Sequence, residues 1–289
     1  MQVSRGQRPG AGWTRVGYGL YLNRPPLACA QRDVLLAWGS LLPTTAVFTH
    51  LTAAEVRGWW LPSPASHPVQ IAVGPGERHP QRSGLAVTRL GRSPLVEYVD
   101  GLPLATAAET LLALSRDFGV LDLVALADSA LRTGDCTLDE LSEAARQRRR
   151  GAPRLREVLP LLDPRSESPW ESIMRTLHRA AGIEVEPQYE IFDANRRFVA
   201  RADLWLVGTR RLHEYDGEVH RDLGTHRRDL SRERRLVDTG WQRHGYTAAE
   251  VLRGGGPIIA SVDALFGRCW DPDRLARWRA LVRASSYGQ

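Results

Sequence analysis

Arg211-Leu-His-Glu-Tyr-Asp-Gly-Glu-Val-His220 reads as a buried strand that runs out into two carboxylates, a glycine and a histidine. Glu214 and Asp216 are two positions apart, so on a strand both side chains leave from one face. That spacing sets them roughly 6–7 Å apart at the backbone, within reach of one hard cation. Gly217 permits a sharp turn, and His220 can swing back toward the same place. Converging acids at a strand end are unfavourable unless they are solvated or bind something. The candidate chemistry is therefore centred here.

Outward from this stretch the periodicities are regular. Glu186–Phe192 and Phe198–Val207 carry strand patterns that turn at Asp193-Ala-Asn-Arg196, and Arg211–Asp216 is the third strand. Trp170–Ala181 upstream is helical and closed by Gly182. Downstream come a long arginine-rich helix (Thr225–Thr239), a fourth strand (Trp241–Tyr246) and a helix from Thr247. The order α-β-β-β-α-β-α predicts a mixed sheet flanked by helices, an α/β (α+β) fold. Asp163-Pro-Arg-Ser-Glu-Ser-Pro169 is the most linker-like stretch. It separates residues 1–165 from a core at 166–252, which a helical tail at 253–289 follows, packed down by Trp270 and Trp278.

The first 165 residues read as mostly helical α+β. Residues 1–12 have the composition of a disordered segment, and Trp13–Leu22 that of a short hairpin. Helices are expected at Gln31–Leu42, at Thr52–Trp60 with Thr52 as N-cap, and in two pieces within Leu104–Arg132. Two strands, Val69–Val73 and Leu85–Leu90, lie between them. Thr137-Leu-Asp-Glu140 is a capping box that opens a helix running to Arg150. That helix ends in Arg146-Gln-Arg-Arg-Arg150, which either complements the helix dipole or contacts phosphate. Trp59 and Trp60 suit core packing of a helix end better than base stacking.

With 289 residues, 43% hydrophobic and 25% charged, the chain has the composition of a globular protein and room for two domains. No apolar run is long enough to span a membrane, and the N-terminus carries no secretory h-region. Three widely spaced cysteines form neither a disulfide framework nor a zinc site, which fits a reducing cytoplasm. The net charge of +6 favours polyanions. All 39 cations are arginines, so no mechanism that needs a lysine amine can operate. The arginine-rich helix carries Arg227, Arg228 and Arg232, of which the last two share a face. It is either a solvated ion-paired face or one that tracks phosphate.

Ser168-Pro-Trp-Glu-Ser172, Gln188, Arg201-Ala-Asp203, Glu214-Tyr-Asp-Gly217, His220, Arg228-Asp229 and Gly240-Trp241, in that order, resemble the DUF559 family. That family is a branch of the PD-(D/E)XK, restriction-endonuclease-like superfamily and is similar to very short patch repair endonucleases. Thr49-His-Leu-Thr-Ala-Ala-Glu-Val-Arg-Gly58 and Val99-Asp-Gly-Leu-Pro-Leu104 resemble AbiEi-type antitoxin N-terminal regions, with Trp13–Leu22 as the wing of a truncated winged helix. The resemblance implies a cytoplasmic DNA endonuclease dependent on Mg2+ or Mn2+, acting on double-stranded DNA. Asp203 and Glu214 would hold the metal, with Asp216 as a further ligand or a water-orienting base where the superfamily has a lysine. His220 would act as general acid or base, and Glu171 would reach a metal-bound water, unless it only completes a capping box with Ser168. Gln188 and Arg201 would join Arg227, Arg228 and Arg232 in contacting nucleic acid. The alternative is a non-catalytic DNA-binding regulator or an antitoxin-like protein with a toxin partner.

Overall fold

The computed structural model describes residues 2–7, 9–24, 30–62, 67–77, 80–217 and 232–288. His220, Arg227, Arg228 and Asp229, all singled out above, lie outside the described residues, as does Cys29. The architecture is mixed α+β, with three sheets and several helices.

The first sheet holds β1 (Val3–Arg5), β2 (Thr14–Gly17) and β3 (Leu20–Leu22) in the order β1-β3-β2. Residues 3–5 were expected to be disordered. They instead pair with Leu20–Leu22, whose two leucines are fully buried against α1 (Gln31–Gly39). A second sheet contains β4 (Val47–Phe48), β5 (Val69–Val73), β6 (Leu85–Arg89), β7 (Val96–Val99) and β8 (Leu102–Ala105), in the order β6-β5-β4-β8-β7. Only two of these five strands carry a readable sequence signal. β4 is two residues long, β7 is an exposed edge, and β8 contains Pro103, which removes a ladder donor. This half of the chain therefore holds more strand than its helical periodicity suggests.

Helix α2 (His50–Val56) begins two residues before the expected cap. The Thr52 hydroxyl accepts from the Gln70 amide at 2.9 Å, and the Leu51 amide donates to the Gln70 side chain at 2.8 Å. Bonds to β5 thus take the hydroxyl that a local cap would use. Then come α3 (Ala107–Leu114), α4 (Val120–Thr133), α5 (Leu138–Arg146) and α6 (Ala152–Val158). The capping box at the start of α5 is formed as read, with Thr137 and Glu140 bonded reciprocally. Trp59 is buried, and its indole donates to Asp135 at 2.7 Å.

The third sheet follows α7 (Pro169–Ala180). It comprises β9 (Val185–Phe192), β10 (Phe198–Leu206), β11 (Arg211–Tyr215) and β12 (Gln242–Tyr246), in the order β12-β11-β10-β9. The first three strands run antiparallel to their neighbours, while β11 and β12 run parallel, with Glu214 opposite Gly245. A parallel pair needs a crossover, and its described part is helix α8 at 232–238. Helices α9 (Ala248–Arg253), α10 (Gly255–Leu265) and α11 (Ala276–Arg283) complete the chain. Trp278 is buried as expected, whereas Trp270 is 41% exposed, its ring lying over Gly256 of α10. Among the described residues no helix is long and apolar enough to cross a membrane.

Two layers fix the third sheet. Ile173, Met174 and Leu177 of α7 pack fully buried against Leu204 and Leu206, each contributing about 1.5–3 kcal/mol. On another side, Leu236 of α8 closes over Ala200, Ala202 and Leu212. The preceding residues are bound to the same body through α4. Asp128 and Arg175, both fully buried, form an ion pair at 2.6 Å, and Arg175 also donates to Ser166 and to the Leu161 carbonyl. Asp122, one turn and a half earlier on α4, accepts from the Ser285 hydroxyl at 2.7 Å and the Ser286 amide at 3.0 Å.

Candidate functional site

Four carboxylates gather where α7, β10 and β11 meet. Ser168 caps α7 by accepting from the Glu171 amide at 3.2 Å. The Glu171 carboxylate does not return the bond to Ser168. Its Oε2 accepts from the Glu167 amide and from Gln188 Nε2, both at 2.8 Å. Glu171 is 8% exposed, so its carboxylate faces the sheet rather than solvent.

Gln188 is held in the left-handed region at φ 54 in the middle of β9. The ladder pairs Ala202 with Tyr189 and Leu204 with Pro187, which puts Gln188 opposite Asp203. A non-glycine residue in that conformation is unfavourable by about 1–3 kcal/mol and persists only where its surroundings enforce it. Here its amide nitrogen is tied to Glu171.

Asp203 is half-buried on β10, and its Oδ2 accepts from the Tyr215 amide at 2.9 Å. Burial, reinforced by the neighbouring carboxylates of Glu171 and Glu214, pushes its pKa up to about 7. The bond from Tyr215 and the charge of Arg232 oppose that rise without cancelling it.

Glu214 is 5% exposed at the end of β11 and is gripped from two directions. Arg232 donates through Nη1 and Nη2 at 3.1 and 2.5 Å, and Arg243 through Nε at 2.5 Å. Arg243 also donates from Nη2 to Asp216 at 2.7 Å. One guanidinium therefore spans both acids, as expected for side chains leaving one face of the strand. Gly245 makes room for this, because a Cβ at that position would collide with the Asp216 carboxylate. Arg201 is exposed and bonds Glu167 at 2.7 Å, while its carbonyl accepts from Arg232 at 2.7 Å.

Arg243 carried no signal in the sequence beyond its place in a predicted strand. Its role depends on β12 lying beside β11, a pairing across the crossover that no local pattern reveals. The buried histidines were missed for a similar reason. His178 of α7 and His213 of β11 are bonded at 2.9 Å, and both are fully buried. Burial holds His178 down at about 4 and depresses His213 further, so both stay neutral and serve as packing beneath the sheet.

Carboxylate oxygens are the donors that a hard divalent cation takes. Among the described residues, however, no three His, Cys, Asp or Glu side chains are grouped to hold a metal ion. Guanidinium groups occupy both oxygens of Glu214. The site pairs crowded acids with arginines and borders a hollow of about 720 Å3 lined by Tyr215, Asp216, Thr247 and Tyr287.

The fold and this cluster define a mixed α+β protein with a charged site on the inner strands of its third sheet. No family model matches the chain. It belongs to the same family as two Mycobacterium tuberculosis proteins, "Uncharacterized protein MT2308" (strain CDC 1551 / Oshkosh) and "Uncharacterized protein Rv2248" (strain ATCC 25618 / H37Rv). Each is 30% identical over 257 residues, covering 87% of this chain and 91% of the relative. Among solved structures, the crystal structure of RV2827C protein from Mycobacterium tuberculosis is similar at a TM-score of 0.38 and 18% identity. The match covers 63% of this chain and 72% of that one.

Proposed function

We propose that residues 166–252 form a restriction-endonuclease-like core of the DUF559 type, and that the protein is a DNA endonuclease dependent on Mg2+ or Mn2+. The observation that carries this reading is the convergence of Glu171, Asp203 and Glu214, with Asp203 raised to about 7 by burial and its two acidic neighbours. Carboxylates crowded in this way are poised for a cation. The sheet order, three antiparallel strands with a fourth parallel beyond a crossover, supports the same reading.

A divalent cation held by Asp203 and Glu214 would polarise a phosphate and acidify water. The chain's own residues do the rest. Asp203, whose carboxyl keeps its proton up to about pH 7 in the cation-free chain, would give that proton up on taking the cation. Gln188 fixes the orientation of Glu171. Arg232 and Arg243 present guanidinium forks that suit phosphate oxygens once they part from Glu214. Asp216, in the place of the superfamily's lysine, positions Arg243. His220 retains its proposed role in proton transfer, and Arg227 and Arg228 theirs in phosphate contact.

One observation favours a second reading. Arg232 and Arg243 already neutralise Glu214 and Asp216, as expected of a scaffold that binds DNA, or a toxin partner, without cutting. Nicking of supercoiled DNA by the purified protein in Mg2+ or Mn2+, compared with Glu214→Ala, separates the two. Metal-dependent nicking lost in the variant supports the nuclease. Equal activity in both proteins refutes it, and absence of both nicking and Mn2+ binding leaves the scaffold.

A further inference from the structure

The arginine run at the end of α5 is left unexplained by the acid cluster. Residues 147–151 turn sharply between α5 and α6, and Gly151 sits at φ 91 with its Cα against the Leu112 carbonyl, where a Cβ would collide. The turn presses the run against the loop after α3. Two hollows result, of about 790 and 380 Å3, and they share Arg116, Arg149 and Arg150. Together they are lined by nine arginines and three carboxylates, a surplus as large as the +6 of the whole chain.

Internal pairing accounts for part of that charge. Glu109 receives Arg149 through two bonds at 2.6 and 2.8 Å and Arg92 at 2.5 Å, which fixes those guanidinium groups. Arg116, Arg148 and Arg150 are exposed and belong to no ion pair among the described residues. A second observation comes from the wall of the smaller hollow. His50 is 5% exposed, held at φ 50, and its Nδ1 has no hydrogen-bond partner. The ring thus forms part of the hollow's wall on strained backbone beside five arginines, with its Nε2 3.8 Å from Asp117. Among the described residues no Phe, Tyr or Trp lines either hollow, so these walls offer bases no stacking platform.

We infer that this groove, lined by Arg116, Arg148, Arg149, Arg150 and His50, binds the phosphodiester backbone of a DNA strand without reading its sequence. Arginine forks match phosphate oxygens in pairs, and binding through backbone charge alone is independent of sequence and steeply salt-dependent. The site is separate from the acid cluster and does not depend on the nuclease reading.

The test is fluorescence anisotropy of a labelled DNA oligonucleotide in EDTA, across a salt series, for the full chain, Arg116→Ser/Arg148→Ser/Arg150→Ser and Arg277→Ser. The triple variant is expected to bind more weakly, with a log K against log salt slope shallower by about 2–3, at roughly 0.9 per lost duplex phosphate contact. Arg277→Ser, the loss of one exposed arginine on α11 away from both hollows, is expected to retain the wild-type slope. An unchanged slope in the triple variant, no DNA binding by the wild type, or displacement by poly-glutamate as effective as by unlabelled DNA at equal charge overturns the inference. Superimposable circular dichroism melts of wild type and triple variant exclude unfolding, since all three side chains are exposed. Because EDTA removes metal from the assay, a failed nuclease reading leaves this result intact.

Discussion

Asp203→Asn should make the protein more stable at neutral pH, and the gain should grow with pH. The carboxyl is pushed up to about 7 in the folded chain from about 3.9 in an unfolded one. A raised folded-state value means that the native protein holds the proton more tightly. The contribution is fully favourable below about pH 4, is lost as pH climbs through the window to about 7, and is flat above it. Within that window the wild type should lose up to about 1.4 kcal/mol per pH unit through this group. From pH 5 to pH 8 the loss relative to Asp203→Asn is about 2–3 kcal/mol, an upper figure because the side chain is only half-buried. The amide keeps the shape of the neutral acid and can still accept from Tyr215. Urea denaturation of both proteins at pH 5, 6, 7 and 8 measures the difference directly. A stability gap that does not change with pH would refute the reasoning. So would a gap that shrinks as pH rises, since it would mean that the neighbouring acids do not load Asp203.

Other consequences are as direct. Asp128→Asn leaves the Arg175 charge buried and unpaired and should cost about 3–5 kcal/mol in urea denaturation, whereas Asp128→Leu with Arg175→Met should recover much of the loss. A single variant within 1 kcal/mol of wild type counts against the pair as drawn. Gly245→Ala should displace the Asp216 carboxylate from Arg243 while lowering stability by less than about 1 kcal/mol, because the displaced side chain is short and half-exposed. Its Mn2+ titration should nevertheless differ from that of wild type. Arg232→Met removes a competitor from Glu214 and should tighten Mn2+ binding several-fold by isothermal titration; weaker binding would show that Arg232 supports the cation. The Cys136 thiol, pushed up to about 12 by burial and nearby acids, should resist a disulfide reagent at pH 8 while exposed Cys269 reacts.

The third sheet was legible because its strands alternate cleanly and are punctuated by turns such as that at Asp193, whose side chain accepts from the Asn195 and Arg197 amides at 2.8 Å. The period of two also placed Glu214 and Asp216 on one side, where a single guanidinium now reaches both. The second sheet was opaque for the opposite reason. A two-residue strand, an edge strand and one interrupted by Pro103 have no period to read, and their existence follows from long-range pairing alone. Helix α2 misled because Thr52 looks like a cap but spends its hydroxyl on β5. At the site, residue types were readable and partners were not. Nothing local announces that Arg243 will cross from the next strand to Glu214, that Glu171 will turn to Gln188 instead of Ser168, or that Gln188 will sit at φ 54.

The acids of α4 also constrain the order in which the molecule can be assembled. Asp122 is 1% exposed and, besides the Gly119 amide that it caps, takes its partners from Ser285 and Ser286, more than 160 residues downstream. Asp128 waits on Arg175, 47 residues later. Until those residues leave the ribosome, Asp122 has only the Gly119 amide and Asp128 lacks its counter-charge, so α4 cannot reach its final packing. Residues made late thus contribute to a helix made early. Contacts of such separation are slow to close, and a chain without Ser285 and Ser286 leaves Asp122 with the Gly119 amide but without those two partners.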